Sequence, residues 1–374
     1  MRFRYPNQRG TPTSNTLSPI LMKNFRIAIL PGDGIGTEVI DATVKVLDVV
    51  SQIAEFTYSG ETYAVGATEY LKNGVALPET VLKKCAECDA ILLGAMGLPD
   101  VRLPSGVELT PQIEIREKLD LYNGLRPIKL YHEKDTPLKG FGKGEIDIML
   151  VRENTEGLFY ERNKPVDLLA SSATDLMHIS RKGAERICRA AFEQARKRRK
   201  LVTLVDKANV LPSMAYLRNI FDQIAKEYPD VNTERQYIDA MALFLVQRPG
   251  DFDVVVTENM FGDILSDLLA GIVGGMGMAP SADIGDKYAV FQPSHGTAPS
   301  IAGQNIANPI ATILSAAMML EWLNTAESRQ GADLIYGAVE IVFKDPENRT
   351  CDMGGSLTTT LMTALVIEAI QTLA

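Results

Sequence analysis

Asp263 and Asp267 stand four residues apart in Glu258-Asn-Met-Phe-Gly-Asp263-Ile-Leu-Ser-Asp267, directly after the run Asp253-Val-Val-Val-Thr257. That spacing puts both carboxylates on one face of the first turns of a helix. Paired carboxylates suit a hard divalent ion such as Mg2+ or Mn2+ that keeps positions open for substrate oxygens. The bland alternative is that acids near a helix N-terminus simply favour its dipole. Three arginines are the natural counterparts: Arg116 and Arg126 flank residues 117–125, and Arg152 closes the apolar run 146–151. A guanidinium grips a carboxylate through two parallel hydrogen bonds, so three of them would serve a di- or tricarboxylate. Spacing alone does not bring the three together.

Lys207, in Val205-Asp-Lys-Ala-Asn209, follows a strand-like run, where open α/β sheets place functional side chains. A lysine there is otherwise a solvated residue. Ser294-His-Gly-Thr-Ala-Pro-Ser300, with Ile301-Ala-Gly303 and Ala307-Asn-Pro309, is a small-residue loop that lets a backbone approach a nucleotide closely. His295, taken alone, reads as structural. Pro31-Gly-Asp-Gly-Ile-Gly-Thr37 lacks the GxGxxG spacing, and reads as a tight strand-to-helix turn more readily than as a pyrophosphate cradle. The lone CxxC of Cys85 and Cys88 reads as structural or incidental.

The elements that must position these residues alternate. Strand candidates are 25–30, 90–94, 146–151, 201–205 and 253–257. A helix capped at Gly36 or Thr37 carries Ile40, Val44, Leu47 and Val50 on one face, and another begins near Ser180 with Ala184, Ile187, Ala191 and Ala195 along one stripe. Alternation of this kind predicts an α/β fold with a largely parallel sheet, and 374 residues suit two domains. Arg196-Lys-Arg-Arg-Lys200 reads as cations on a solvated face at a helix C-terminus. Residues 157–180, with Pro165 and Ser171-Ser172, break the pattern as an arm or long loop.

A net charge of -9 argues against general nucleic-acid or membrane-surface binding. No apolar run reaches the roughly 18–20 residues of a spanning helix, so a soluble protein is expected. Four cysteines do not make a disulfide framework, which favours a reducing, cytoplasmic setting. The first 32 residues lack Asp and Glu but contain Arg2, Arg4, Arg9, Lys23 and Arg26. Residues 1–21 are expected to be a disordered leader, with a transit peptide to an organelle matrix as the alternative.

Taken in order, Pro31-Gly-Asp-Gly-Ile-Gly36, Arg116, Arg126-Pro127, Val151-Arg-Glu-Asn-Thr-Glu-Gly157, Asp206-Lys-Ala-Asn209, Asp239, Asn259 to Asp267 and His295-Gly-Thr-Ala-Pro299 resemble the isocitrate/isopropylmalate dehydrogenase family of β-decarboxylating dehydrogenases. The likeness runs from about Lys23 to the C-terminus. It implies an isopropylmalate-dehydrogenase-like fold, not a Rossmann domain, with two α/β domains: 22–121 with 274–374 on the cofactor side, and 122–273 forming a homodimer through an arm at about 157–180. It implies oxidation and decarboxylation of a 2-hydroxy dicarboxylic acid with NAD and Mg2+ or Mn2+. Arg116, Arg126 and Arg152 match the carboxylate-binding positions. Asp263 and Asp267 match the metal ligands of one subunit. Asp239 and Lys207 match the ligand and the proton-accepting lysine lent by the other. The nicotinamide cofactor falls to His295, Gly296, Thr297, Ala298, Ser300, Ile301 and Asn308.

Two departures stand out. The family's proton-donating tyrosine falls at Phe159, with Tyr160 next, so either a one-residue bulge re-aims Tyr160 or another donor is used. Ser300-Ile301 replaces the residues that tell NAD from NADP; without a cation the pair leans to NAD and leaves NADP possible. Thr110 and Gln112 occupy the positions that select the third substituent. An amide buried against an isopropyl group would lack partners, so a polar substituent, or none, is favoured, with tartrate, D-malate, isocitrate and 3-isopropylmalate all open. A non-catalytic regulatory subunit of a hetero-oligomer is the alternative reading, which only Phe159 favours.

Overall fold

The computed structural model describes residues 24–374 apart from 105, 165, 166 and 168, so the expectation for residues 1–21 lies outside the described residues. Ten strands form one sheet: β1 (Asn24–Gly32), β2 (Thr57–Thr62), β3 (Ala90–Ala95), β4 (Asn123–Lys129), β5 (Asp147–Glu153), β6 (Leu201–Asp206), β7 (Asn232–Tyr237), β8 (Val254–Thr257), β9 (Pro280–Ile284) and β10 (Ala289–Pro293). Their order is β2-β1-β3-β10-β9-β4-β5-β8-β6-β7. The flanks are parallel, and the centre, β10-β9-β4-β5, is antiparallel. Helices cover both faces, which explains why all residues of β3 and β8 are buried and why their sequences are continuous apolar runs.

All five expected strands form. The five unexpected ones carry weaker signals for identifiable reasons. β2 and β7 are the edges, and their polar sequences TYSGET and NTERQY suit half-exposed positions. β4, β9 and β10 are interrupted or bounded by proline. Pro127 is tolerated because β9 pairs only with Asn123–Leu125, so the proline lies beyond that ladder.

The helix Gly36–Ile53 buries Val39, Ile40, Val46, Leu47 and Val50, but its expected cap does not form. Ile35 precedes it without a side-chain cap, and the Thr37 hydroxyl turns back to the Gly34 carbonyl at 3.0 Å. The glycine turn is an anchor between loops: buried Asp33 accepts hydrogen bonds from the amides of Ala67 (2.7 Å), Thr68 (2.8 Å) and Gly97 (2.9 Å). Gly34 has φ +56, and a Cβ there would sit 2.1 Å from the Thr297 carbonyl oxygen, so the turn packs directly on the 294–300 loop.

The helix Arg181–Arg196 forms as expected, with the Ser180 hydroxyl accepting from the Gly183 amide at 2.9 Å. Arg196, Lys197, Arg199 and Lys200 lie on a solvated face as expected, and Arg198 alone is drawn inward. Arg198 donates to buried Asp253 at 2.8 Å and to Asp147 at 2.7 Å, tying the helix end to β5 and the start of β8.

Candidate functional site

The antiparallel centre of the sheet aims the basic residues at one place. Arg152 of β5 lies opposite Gly124 of β4, which lies opposite Asp283 of β9. Arg126 is two residues further along β4 and so shares the Gly124 face. Arg116 comes from the helix Pro111–Lys118, and Asp263 and Asp267 come from the helix Asn259–Gly271. All five side chains line one cavity of about 200 Å³, together with Gln112, Phe159, Ser266, Ser294, His295 and Gly296.

Its electrostatics are dominated by buried positive charge. Arg116, Arg126 and Arg152 are 8%, 4% and 2% exposed, and three buried cations that close repel one another. Burial, reinforced by Arg116, pulls Arg152 down to about 10, and burial also lowers Arg126. Arg152 donates through Nε (3.1 Å) and Nη2 (2.7 Å) to Asn259 Oδ1 and pairs with Asp263. Arg126 donates from Nη1 to the Ser294 hydroxyl at 2.6 Å. Three buried polar atoms around this cavity have no protein partner among the described residues: Arg126 Nε, Gln112 Oε1 and His295 Nε2. Buried polar groups are normally satisfied, so three orphans at one cavity mark a place for a polar ligand.

Asp263 and Asp267 are suitable for a hard cation. Burial, then the charge of Asp263, raises the Asp267 carboxyl above its usual range, a tension a divalent ion relieves. Among the described residues no third acidic, His or Cys side chain joins them. Asp239 instead sits at the start of the helix Ile238–Gln247, paired with Lys207 at 2.5 Å, and neither lines the cavity. Tyr237, Leu243, Val246 and Ile264, on the elements around that pair, leave large apolar side chains exposed.

Other expected residues also stand elsewhere. Tyr160 is 51% exposed and stacks on His178, ring centroids 4.2 Å apart, while Phe159 faces the cavity with the Arg152 guanidinium 5.7 Å from its ring centre. The bulge that would aim Tyr160 inward is therefore absent from this chain, and Tyr160→Phe is expected to leave kcat within about twofold of wild type in a steady-state assay. The Thr110 hydroxyl, outside the cavity, accepts from Arg162 at 3.3 Å, and Arg162 also forks onto Glu117 at 2.8 and 2.6 Å. Those bonds tie the 157–180 segment to the helix that carries Gln112.

On the cofactor side, the Thr297 hydroxyl donates to the Gly97 carbonyl at 2.7 Å, and Ala298 takes a left-handed φ of 37. Ser300 is exposed, whereas Ile301 packs against Ile35, Val39 and Ala307. The Asn308 side chain is turned inward: Nδ2 donates to Asp352 at 3.2 Å and Oδ1 accepts from the Ile310 amide at 3.1 Å, which makes it an anchor for the helix Ile310–Leu323. Burial keeps His295 below its usual range and hence neutral at pH 7.

Sequence reasoning missed Asp283, Asn154, Gln292 and Ser294 as supports of the site. Asp283 and Gln292 lie on β9 and β10, which are too short and proline-bounded to announce which face a residue takes, and Asn154 and Ser294 stand just beyond the ends of β5 and β10. It also missed Glu153, 5% exposed beside Arg152, whose carboxylate accepts from the Thr155 amide (3.0 Å) and hydroxyl (2.6 Å) and the Glu156 amide (2.6 Å). Burial outweighs these bonds and pushes its carboxyl up to about 7. The native state then holds a proton that the unfolded chain releases near pH 4.5, so Glu153 stabilises the fold at low pH and loses that contribution as pH rises through 7. Denaturant titrations should show wild type losing up to about 3 kcal/mol relative to Glu153→Gln between pH 5 and 8.

The comparisons with known proteins bear on this arrangement directly. Residues 26–370 match the family model described as isocitrate/isopropylmalate dehydrogenase. The chain belongs to that family. It is 44% identical over 332 residues to a 3-isopropylmalate dehydrogenase of Aquifex aeolicus, covering 85% of this chain and 89% of that one. It is 42% identical over 352 residues to an isocitrate/homoisocitrate dehydrogenase of Thermus thermophilus, covering 93% and 99%. The fold matches the crystal structure of an isocitrate dehydrogenase from Methylococcus capsulatus with TM-score 0.84 and 35% identity, covering 93% and 99%. This member of the isocitrate/isopropylmalate dehydrogenase family is thus an α/β enzyme of the β-decarboxylating hydroxy-acid dehydrogenase class, acting on a small-molecule hydroxy acid. No helix among the described residues is long and apolar enough to cross a membrane.

Proposed function

We propose that the enzyme oxidises a 2-hydroxy dicarboxylic acid of the malate type with NAD and removes CO2 from the product, in a homodimer whose two active sites are shared. The observation that carries this is the cavity itself: three buried guanidinium groups face a pair of carboxylates, with three orphaned polar atoms, one of them on Arg126. Arg116, Arg126 and Arg152 hold the substrate carboxylates, and Asp263 and Asp267, with Asp239 of the other subunit, hold Mg2+ or Mn2+. Bound there, a divalent ion supplies Lewis acidity toward the hydroxyl and, later, the ketone. Lys207 of the other subunit takes the hydroxyl proton. With Phe159 where a hydroxyl is expected, the same lysine, which carries the proton taken from the hydroxyl, returns it to the enol product. Phe159 closes the cavity wall and excludes water from it.

Several finer assignments rest on the same reading. Residues 22–121 with 274–374 would form the cofactor-side domain, and 122–273 the dimerisation domain; the junction falls between β9 and β4, where the sheet passes from one set of strands to the other. The 294–301 loop frames the nicotinamide cofactor, and Asn308 anchors the helix behind it. Ser300 offers no cation for a 2'-phosphate, which favours NAD while NADP remains usable. A cytoplasmic setting fits the four free cysteines.

Lys207 and Asp239 lie with each other and outside the cavity of their own chain, as a site completed by a second subunit requires. Lys207→Met and Asp263→Asn homodimers should each be nearly inactive. Mixed and allowed to re-form, they yield one intact site in each heterodimer, and activity should recover to about a quarter of wild type. Recovery that never rises above the two parents would refute the shared site.

A further inference from the structure

Asp283 is a fully buried carboxylate directly behind the cavity wall, and none of the roles above uses it. It is held from three segments. Oδ2 accepts from Arg116 Nε at 2.8 Å and from Gln292 Nε2 of β10, and Oδ1 accepts from Asn154 Nδ2 at 2.8 Å. Gly124 makes room for this: a Cβ there would sit 2.7 Å from Asn154 Oδ1, so only glycine lets Asn154 cross the sheet to Asp283. Burial works against the charged form, but Arg116 and then Arg126 outweigh it and hold the carboxyl below its usual range.

Two consequences follow. Arg116 spends its Nε on Asp283, and its terminal nitrogens have no protein partner among the described residues, so its fork is fixed toward the cavity. In addition, three guanidinium cations are matched by three carboxylates, those of Asp263, Asp267 and Asp283. A divalent cation on Asp263 and Asp267 then leaves an excess of two positive charges, and Lys207 arrives already neutralised by Asp239.

We propose that Asp283 is a positioning residue that fixes Arg116 and sets the charge of the pocket for a dianionic rather than a trianionic substrate. This rests on the reading of the cavity as a carboxylate site. Gln112 agrees with it: an amide, not a fourth cation, faces the cavity from the helix Pro111–Lys118, and its orphaned Oε1 calls for a hydroxyl donor rather than another carboxylate. The chemistry is that of a four-carbon hydroxy dicarboxylate, bare or hydroxylated at the neighbouring carbon.

The test is calorimetric binding of succinate and of tricarballylate to the full-length protein at pH 7.5, fixed ionic strength and a saturating, fixed free Mg2+ concentration. Wild type should bind succinate more tightly. Asp283→Asn, which keeps an acceptor for Arg116, should shift the affinity ratio at least about tenfold toward tricarballylate, and Asp283→Glu should restore the wild-type order. A merely structural role would weaken both anions alike and leave the ratio unchanged, which overturns the proposal. So does a wild type that prefers tricarballylate, a result readable even if the variants do not fold. Binding of neither anion by wild type overturns the carboxylate-site reading along with it.

Discussion

Arg126→Met is expected to lower kcat/KM for the physiological hydroxy acid by about 10³, a loss of about 4 kcal/mol, without lowering the melting temperature. The two halves of that expectation have separate causes. In the complex, Arg126 is one of the cations facing a buried carboxylate, and truncating it leaves that charge desolvated and unpaired. In the free enzyme the same side chain is a liability: it is 4% exposed, its Nε has no partner, and its one hydrogen bond is to Ser294. Methionine keeps the apolar stem of the side chain, removes an under-paired buried cation and relieves its repulsion with Arg116 and Arg152. Steady-state kinetics and thermal unfolding on the same preparation check both halves. A variant that loses stability in step with activity would make Arg126 a structural residue.

Asp263→Asn should abolish the response to metal. A ligand at one hundred times its Kd stabilises the state that binds it by about 2.7 kcal/mol, so wild type should melt several degrees higher with saturating Mn2+. The variant keeps the shape of the side chain but loses the charge that Asp267 alone cannot replace, and its melting temperature should not move. It should also start lower. Arg152, 2% exposed, would keep only its bonds to Asn259 and lose its ion pair with residue 263. Manganese titrations followed by thermal unfolding separate this baseline drop from the loss of metal response.

The chemistry-bearing residues were easier to read from the sequence than the scaffold that aligns them. β1, β3, β5, β6 and β8 announce themselves because each is largely buried and carries an apolar run at its centre. Arg152, Lys207 and Asp263 could be placed because each stands at or just after the end of such a run. The other antiparallel strands at the centre, β4, β9 and β10, gave no comparable signal. β9 and β10 are five residues each and bounded or begun by proline, so the alternation that turns Asp283 and Gln292 to the Arg152 side was invisible. Asp283 itself could not be found by residue type, since its partners lie at sequence separations of 9, 129 and 167. Tyr160 illustrates the opposite failure. A one-residue offset in a motif was compatible with a bulge, and only the stacking of Tyr160 on His178 decides that Phe159 is the residue facing the cavity. Asn308 was assigned to the cofactor from its loop, whereas its side chain is spent on Asp352 and a helix start.

The most direct measurement is reduction of NAD followed at 340 nm together with CO2 release, using the dimeric protein and a panel of D-malate, tartrate, isocitrate and 3-isopropylmalate, with Mn2+ and with chelator. The account predicts metal-dependent reduction accompanied by an equal amount of CO2, fastest with a four-carbon dicarboxylate. Reduction that persists undiminished in chelator, or that proceeds without CO2, would contradict it.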